Sequence, residues 1–311
     1  MKCKYCNNEI NEENKYERCP YCGTRLDKDE PKEQINEQII NEPAPVVAET
    51  DLYQYGVKRY WLNILFYYLM MLIGSSIIVM IVTAIVATTS KDPIIIDNKI
   101  IPSAANTIQT WTQILTYVVL IGVLVLLSIK DLKYDTSRLK PNIKKIILTA
   151  VIGVAVMYAT SLLLNVLYTV LKLQGDSQNQ MEIESMLKNA TMIEKALYAI
   201  IIVIVAPLVE EIIFRKSLFG VFKKLKIKKI YIVLITGAIF GLMHITSAIV
   251  GYIVGGQYSL IGPEFLFGIT YIAMGIIFGY VYYKSDENIY SSLILHIINN
   301  LISVILVFIA F

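Results

Sequence analysis

The chain has 311 residues, of which 56% are hydrophobic and 17% charged, with a net charge of +3. Soluble domains run at about 45–50% apolar and about 25% charged, and here the apolar residues fall into blocks long enough to cross a bilayer. This excludes a disordered chain, a collagen or coiled-coil fibre and an ordinary cytosolic enzyme, and the basic residues, placed in short loops between the blocks, speak of membrane orientation and not of nucleic-acid binding.

All four cysteines precede the apolar blocks: Cys3, Cys6, Cys19 and Cys22. Two C-x2-C knuckles can set four thiolates tetrahedrally around one structural zinc ion, leaving no open position for catalysis. Residues 1–26 are therefore expected to form a zinc ribbon, too short to fold without its metal. The alternative is a pair of disulfides in an exported segment. The cytosolic placement argued below disfavours it, because thiols stay reduced there. The first residues also lack the apolar stretch of a secretory signal. Residues 27–57 are acidic and carry Pro31, Pro43 and Pro45. They read as a flexible linker, and residues 58–311 as the membrane domain.

Seven apolar segments follow, at 60–89, 110–129, 146–171, 196–221, 230–254, 264–283 and 290–311. Each can span ~30 Å of hydrocarbon at ~1.5 Å per residue. The expected fold is all-α: a polytopic membrane helical bundle of seven to eight transmembrane helices, preceded by the ribbon. The eighth piece would be re-entrant. Residues 181–195 read either as an amphipathic surface helix or as a solvated loop. Lysines and arginines gather at 130–145 and 223–229, whereas 255–263 has none and 174–195 is mostly acidic. By the positive-inside rule the N-terminus lies in the cytosol and the C-terminus outside, in a multi-pass protein of the cell membrane.

Ionisable residues inside such spans are costly and point to function. The fourth segment carries Glu210, Glu211 and Arg215, the fifth His244, and the seventh His296, Asn299 and Asn300. Glu211 and Arg215 are four apart and can pair on one face. Glu210 is turned about 100° away and is free to face a cavity. Pro207, one turn earlier, interrupts the backbone ladder. Depths counted from the basic loops suggest a cavity shared by Glu210, His244 and His296 that opens to the cytosol. A glutamate and a histidine can polarise water, and a second histidine with an amide can donate to an oxyanion. That inventory suits amide hydrolysis without a covalent intermediate. Each group also has a bland reading: a lone intramembrane histidine or asparagine often only cross-links helices, and a Glu-Arg pair is often structural.

The order Glu210-Glu211-x3-Arg215, Phe240-x3-His244, His296-x3-Asn300 resembles the signature of the CPBP family. That family contains type II CAAX prenyl proteases and bacteriocin-processing or self-immunity proteins. The resemblance covers about 196–311, and more weakly the spans from 60. It implies an intramembrane protease fold with a conical cavity. It further implies that Glu210 and His244 activate water, that His296 and Asn300 form the oxyanion site, and that Glu211 and Arg215 support them. The ribbon is an addition to that pattern and a platform for a protein partner.

The expected function is hydrolysis of a membrane-associated, prenylated or bacteriocin-type peptide, with membrane lipids as surroundings. Two rivals stand beside it. One is a catalytic zinc held by Glu210, His244 and His296, although H-E-x-x-H is absent. The other is a non-catalytic immunity or scaffold protein that captures peptides. A transporter would need a continuous polar route that the spans do not supply.

Overall fold

The computed structural model describes residues 3, 8–10, 19–21, 57–90, 94–96, 99–173 and 175–310. Cys6, Cys22 and the linker lie outside the described residues. Among these, seven helices are long and apolar enough to span a membrane, matching the seven expected segments. They are α1 (Val57–Thr89), α2 (Pro102–Ser137), α3 (Leu139–Val170), α5 (Met192–Lys224), α6 (Lys229–Val254), α7 (Ile261–Lys284) and α8 (Ile289–Ala310). An eighth, α4 (Gln178–Asn189), is too short and polar to span; of the two readings left open for 181–195, a surface helix or a solvated loop, the structure has a helix over much of that stretch. Strands β1 (Ile95–Ile96) and β2 (Lys99–Ile100) form a small antiparallel hairpin between α1 and α2.

Local chemistry explains the ends. Pro102 opens α2, where its missing N–H costs nothing. Ser177 Oγ accepts from Gln180 N to cap α4. Thr191 and Glu194 cap α5 reciprocally, each side chain accepting from the other's backbone N–H. Lys172 and Lys226 end α3 and α5 with positive φ. The spans run past the apolar segments because their charged ends remain helical: α2 takes in Lys130, Asp131, Lys133 and Asp135.

The distribution of polarity is inverted relative to a soluble protein. Leu72, Met80, Leu126, Leu163 and Ile309 point outward, each more than 70% exposed, while Glu211, Arg215 and Asp135 are fully buried. An apolar exterior around a charged interior fits hydrocarbon as the solvent.

A cluster of buried charge lies at the basic-loop end. Asp135 receives Arg138 Nη2 at 2.9 Å, Ile289 N at 2.9 Å and Lys216 Nζ. Arg59 Nη2 pairs with Asp131 at 3.2 Å. Asp286 and Glu287 both adopt positive φ in the α7–α8 turn. That turn sets Glu287 to receive Lys223 at 2.9 Å and Lys229 at 2.8 Å, with its carbonyl accepting from Lys216 at 3.1 Å. Together these links tie α1, α2, α5, α6, α7 and α8 at one end. Asp135→Ala should therefore destabilise the protein by about 3–5 kcal/mol, since it leaves the Lys216 ammonium buried without its carboxylate. Thermal unfolding in detergent would measure the loss, and an unchanged midpoint would refute it.

Helices α6 and α7 make the closest approach in the bundle. Gly237 on α6 faces Gly275 on α7, and Gly241, one turn on, lies against the Ile272 backbone. A methyl group on Gly241 would lie 2.5 Å from the backbone N of Ile272, and one on Gly237 would lie 2.7 Å from that of Ile276. These are small-x3-small contacts of the kind that join membrane helices without a hydrophobic driving force.

Candidate active site

Helix α5 is irregular where it matters. A six-residue α-helical stretch, Ala206–Glu211, lies between two wider π-type turns, Ile201–Val205 and Ile212–Leu218. Pro207 accounts for the first. In that register residue 207 would donate to the Ile202 carbonyl, and proline has no N–H to give. Asn300 Nδ2 on α8 supplies the missing bond, donating to Ile202 O at 2.9 Å. Asn299 Nδ2 in turn donates to Asn300 Oδ1 at 3.1 Å. The amide expected from the sequence at an oxyanion site thus spends one of its two protons on the α5 backbone.

The two adjacent glutamates diverge. Glu211 is wholly buried and faces the core, where Arg215 Nε donates to its Oε2 at 3.1 Å, as the spacing predicts. Glu210 faces a cavity of about 730 Å³, which His244, His296, Asn299 and Asn300 also line. Glu210 is 8% exposed, and its Oε2 has no hydrogen-bond partner among the described residues.

His296 lies between the glutamates. Its Nδ1 is 3.3 Å from Glu211 Oε1 and its Nε2 is 3.7 Å from Glu210 Oε2. Since the Glu211 carboxylate accepts, Nδ1 carries a proton and donates. Phe278 stacks on the ring with centroids 4.3 Å apart. His244 is held differently. Its Nδ1 sits 2.8 Å from Phe240 O, and a carbonyl only accepts, so in the neutral ring Nε2 is the unprotonated nitrogen. Tyr271 stacks on this ring at 4.7 Å, nearly parallel. Tyr271 also bonds Ser177 Oγ at 2.7 Å and receives Asn179 Nδ2 at 3.2 Å, linking His244 to the start of α4. Tyr271 and Tyr117, both cavity-lining, are site residues that the sequence reading missed. Tyr271 sits four residues before Gly275 on the face that packs against α6, which is the signal that would have found it.

The cavity corrects one expectation. It does not open toward the basic loops. Its lining continues from Glu210 through Tyr198 to Asp176, Ser177 and Glu182, at the acidic-loop end. An ionic network closes the basic-loop end, which depths counted along single helices do not reveal. The metal readings are separate matters. Among the described residues no three His, Cys, Asp or Glu side chains are grouped to hold a metal. In the amino-terminal segment Cys3 and Cys19 are buried in one small cluster with Ile10, and Tyr21 N donates to Cys19 Sγ at 3.4 Å. An amide facing a sulfur fits a thiolate knuckle.

The fold and site thus define a polytopic helical membrane protein with a polar cavity between its spans, whose lining includes Glu210, His244, His296 and the Asn299–Asn300 pair. Residues 192–302 match the family model of the Type II CAAX prenyl endopeptidase, Rce1-like. An uncharacterized protein of Mycoplasma capricolum subsp. capricolum is 27% identical over 215 residues, 65% of this chain and 58% of that protein. The match thus spans less than two thirds of that relative's length. No solved structure matches.

Proposed function

We propose that the membrane domain is an intramembrane endopeptidase of the CAAX-protease type. The observation that carries this reading is the Glu210 carboxylate, buried, facing the cavity with one oxygen free of hydrogen bonds, beside His296 and on the same wall system as His244. Glu210 takes a proton from water, assisted by His244 Nε2. The resulting hydroxide attacks the peptide carbonyl carbon. With Nδ1–H held by Glu211, His296 donates to the oxyanion only through a protonated Nε2, alongside the second amide proton of Asn300. Glu210 then returns the proton to the departing amine, and the C–N bond breaks. Glu211 and Arg215 hold His296 in place from behind. The reading is supported by the match over 192–302, which contains all of these residues. The test is direct: reconstituted protein is incubated with a library of membrane peptides and the products are sequenced. Capture without cleavage would leave a peptide-binding scaffold instead.

Cys3, Cys6, Cys19 and Cys22 are proposed to hold one structural zinc in a cytosolic ribbon that serves a protein partner. Elemental analysis of the full chain should give about one zinc per protein, lost in Cys3→Ser and Cys19→Ser variants. Equal zinc content in these variants would overturn the assignment.

A further inference from the structure

We infer that the cavity admits a cationic peptide segment, presented from the membrane face opposite the lysine-rich loops. This rests on the proposed peptide-processing role of the same site and names its substrate class and side of entry.

Entry is set by what closes each end. At the basic-loop end the Asp131, Asp135 and Glu287 ion pairs join six of the seven spans, and none of those three acids or their partners lines the cavity. At the other end the lining reaches Leu173, Gly175 and Asp176 in the α3–α4 connection. A peptide therefore enters past α4. The lysine clusters at 130–145 and 223–229 mark the cytosolic side, so this mouth faces away from the cytosol.

Charge is set by the lining. It includes Asp176, Glu182 and Glu210 and, among the described residues, no lysine or arginine. Lys172, Lys188 and Lys195 belong to the same end of the bundle, yet none lines the cavity. Just behind the mouth, Glu264 is 2% exposed, accepts from Gln178 N at 3.2 Å and keeps Oε1 without a hydrogen bond among the described residues. Deeper in, Glu210 Oε2 faces the cavity without a hydrogen-bond partner. Burial, and to a smaller extent the neighbouring Glu184, raises the Asp176 carboxyl above its ordinary range. A low-dielectric cleft lined by one sign of charge concentrates ligands of the other. Lysine or arginine side chains flanking the bound segment satisfy these acids.

Dye-labelled peptides sharing one apolar segment and flanked by lysine, serine or glutamate serve as probes. Binding is measured by anisotropy to the full chain in nanodiscs of neutral phosphatidylcholine. The lysine-flanked peptide should bind about 10-fold or more tighter than the glutamate-flanked one at low salt, with the preference shrinking as salt rises. The double variant Asp176→Asn, Glu182→Gln should lose most of the preference, and Glu182→Lys should reverse it in protein of unchanged thermal midpoint. Equal binding of the three peptides, or a preference that survives both variants, overturns the charge assignment. In intact cells a membrane-impermeant maleimide should label Gln257→Cys and spare Lys226→Cys, and the opposite pattern overturns the side of entry. Because these readouts are binding and accessibility, a lack of cleavage sinks the protease reading alone.

Discussion

Glu210→Gln should lower turnover by about 100-fold or more while the protein still inserts and folds. Glutamine preserves the shape and hydrogen bonding of the side chain and removes only the base. Glu210 Oε2 makes no hydrogen bond among the described residues, and His296, whose Nε2 lies 3.7 Å away, keeps its contact with Glu211 through Nδ1, so the change strands no hydrogen-bonded partner. The neighbouring substitution should behave in the opposite sense. Glu211 holds Arg215 Nε at 3.1 Å and meets His296 Nδ1 at 3.3 Å with no exposure. Glu211→Gln leaves the Arg215 guanidinium charged and uncompensated in the core, which should cost about 3–5 kcal/mol of stability. Cleavage rates and thermal midpoints of the two variants, taken together, separate the roles. A Glu210→Gln protein that cleaves at the wild-type rate would end the assignment of Glu210 as the base.

Gly241→Ala should be the most damaging single methyl in the bundle. Its Cβ would stand 2.5 Å from the Ile272 backbone N, and backbone cannot rotate away as a side chain can. Helices α6 and α7 must separate, and with them His244 and Tyr271, which stack at 4.7 Å across this crossing. Overpacking of this kind costs about 1–3 kcal/mol, and a displacement of a catalytic group by about 1 Å can cost about 100-fold in rate. Gly251→Ala, where nothing lies within 4 Å of the added methyl, is the matched control. Equal activity of the two variants would show that the crossing does not set the site.

The parts of this architecture legible in the sequence are those fixed by one helix at a time. Spans announce themselves through apolar length. The Glu211–Arg215 pair and the divergent Glu210 follow from helical spacing alone, and so does the shared face of His296 and Asn300. What depends on two helices meeting was not read. The bond from Asn300 to Ile202 requires knowing that α8 crosses α5 at the carbonyl Pro207 leaves unpaired. The direction of the cavity depends on which end is closed, and that is decided by Asp135 on α2, Lys216 on α5 and Glu287 in the α7–α8 turn. Between these cases stand the glycines. Gly237 and Gly241 carry a four-residue spacing visible in the sequence, as do Gly275 and Gly279, but spacing gives no hint of which helix is the partner.

The ionic network at the basic-loop end also has a mechanical meaning. Helices pinned together at one end behave as cantilevers, so the mouth can widen only by bending or splaying about the pinned end. A cantilever moves least at its root and most at its tip. Glu211, Arg215 and His296 lie nearer the root and keep their geometry while α4 and the neighbouring helix ends move. The surrounding lipid presses directly on those tips. Bilayer thickness and lateral pressure on the mouth-side leaflet thereby become inputs to the width of the opening, and the membrane acts on the protein as a load as well as a solvent.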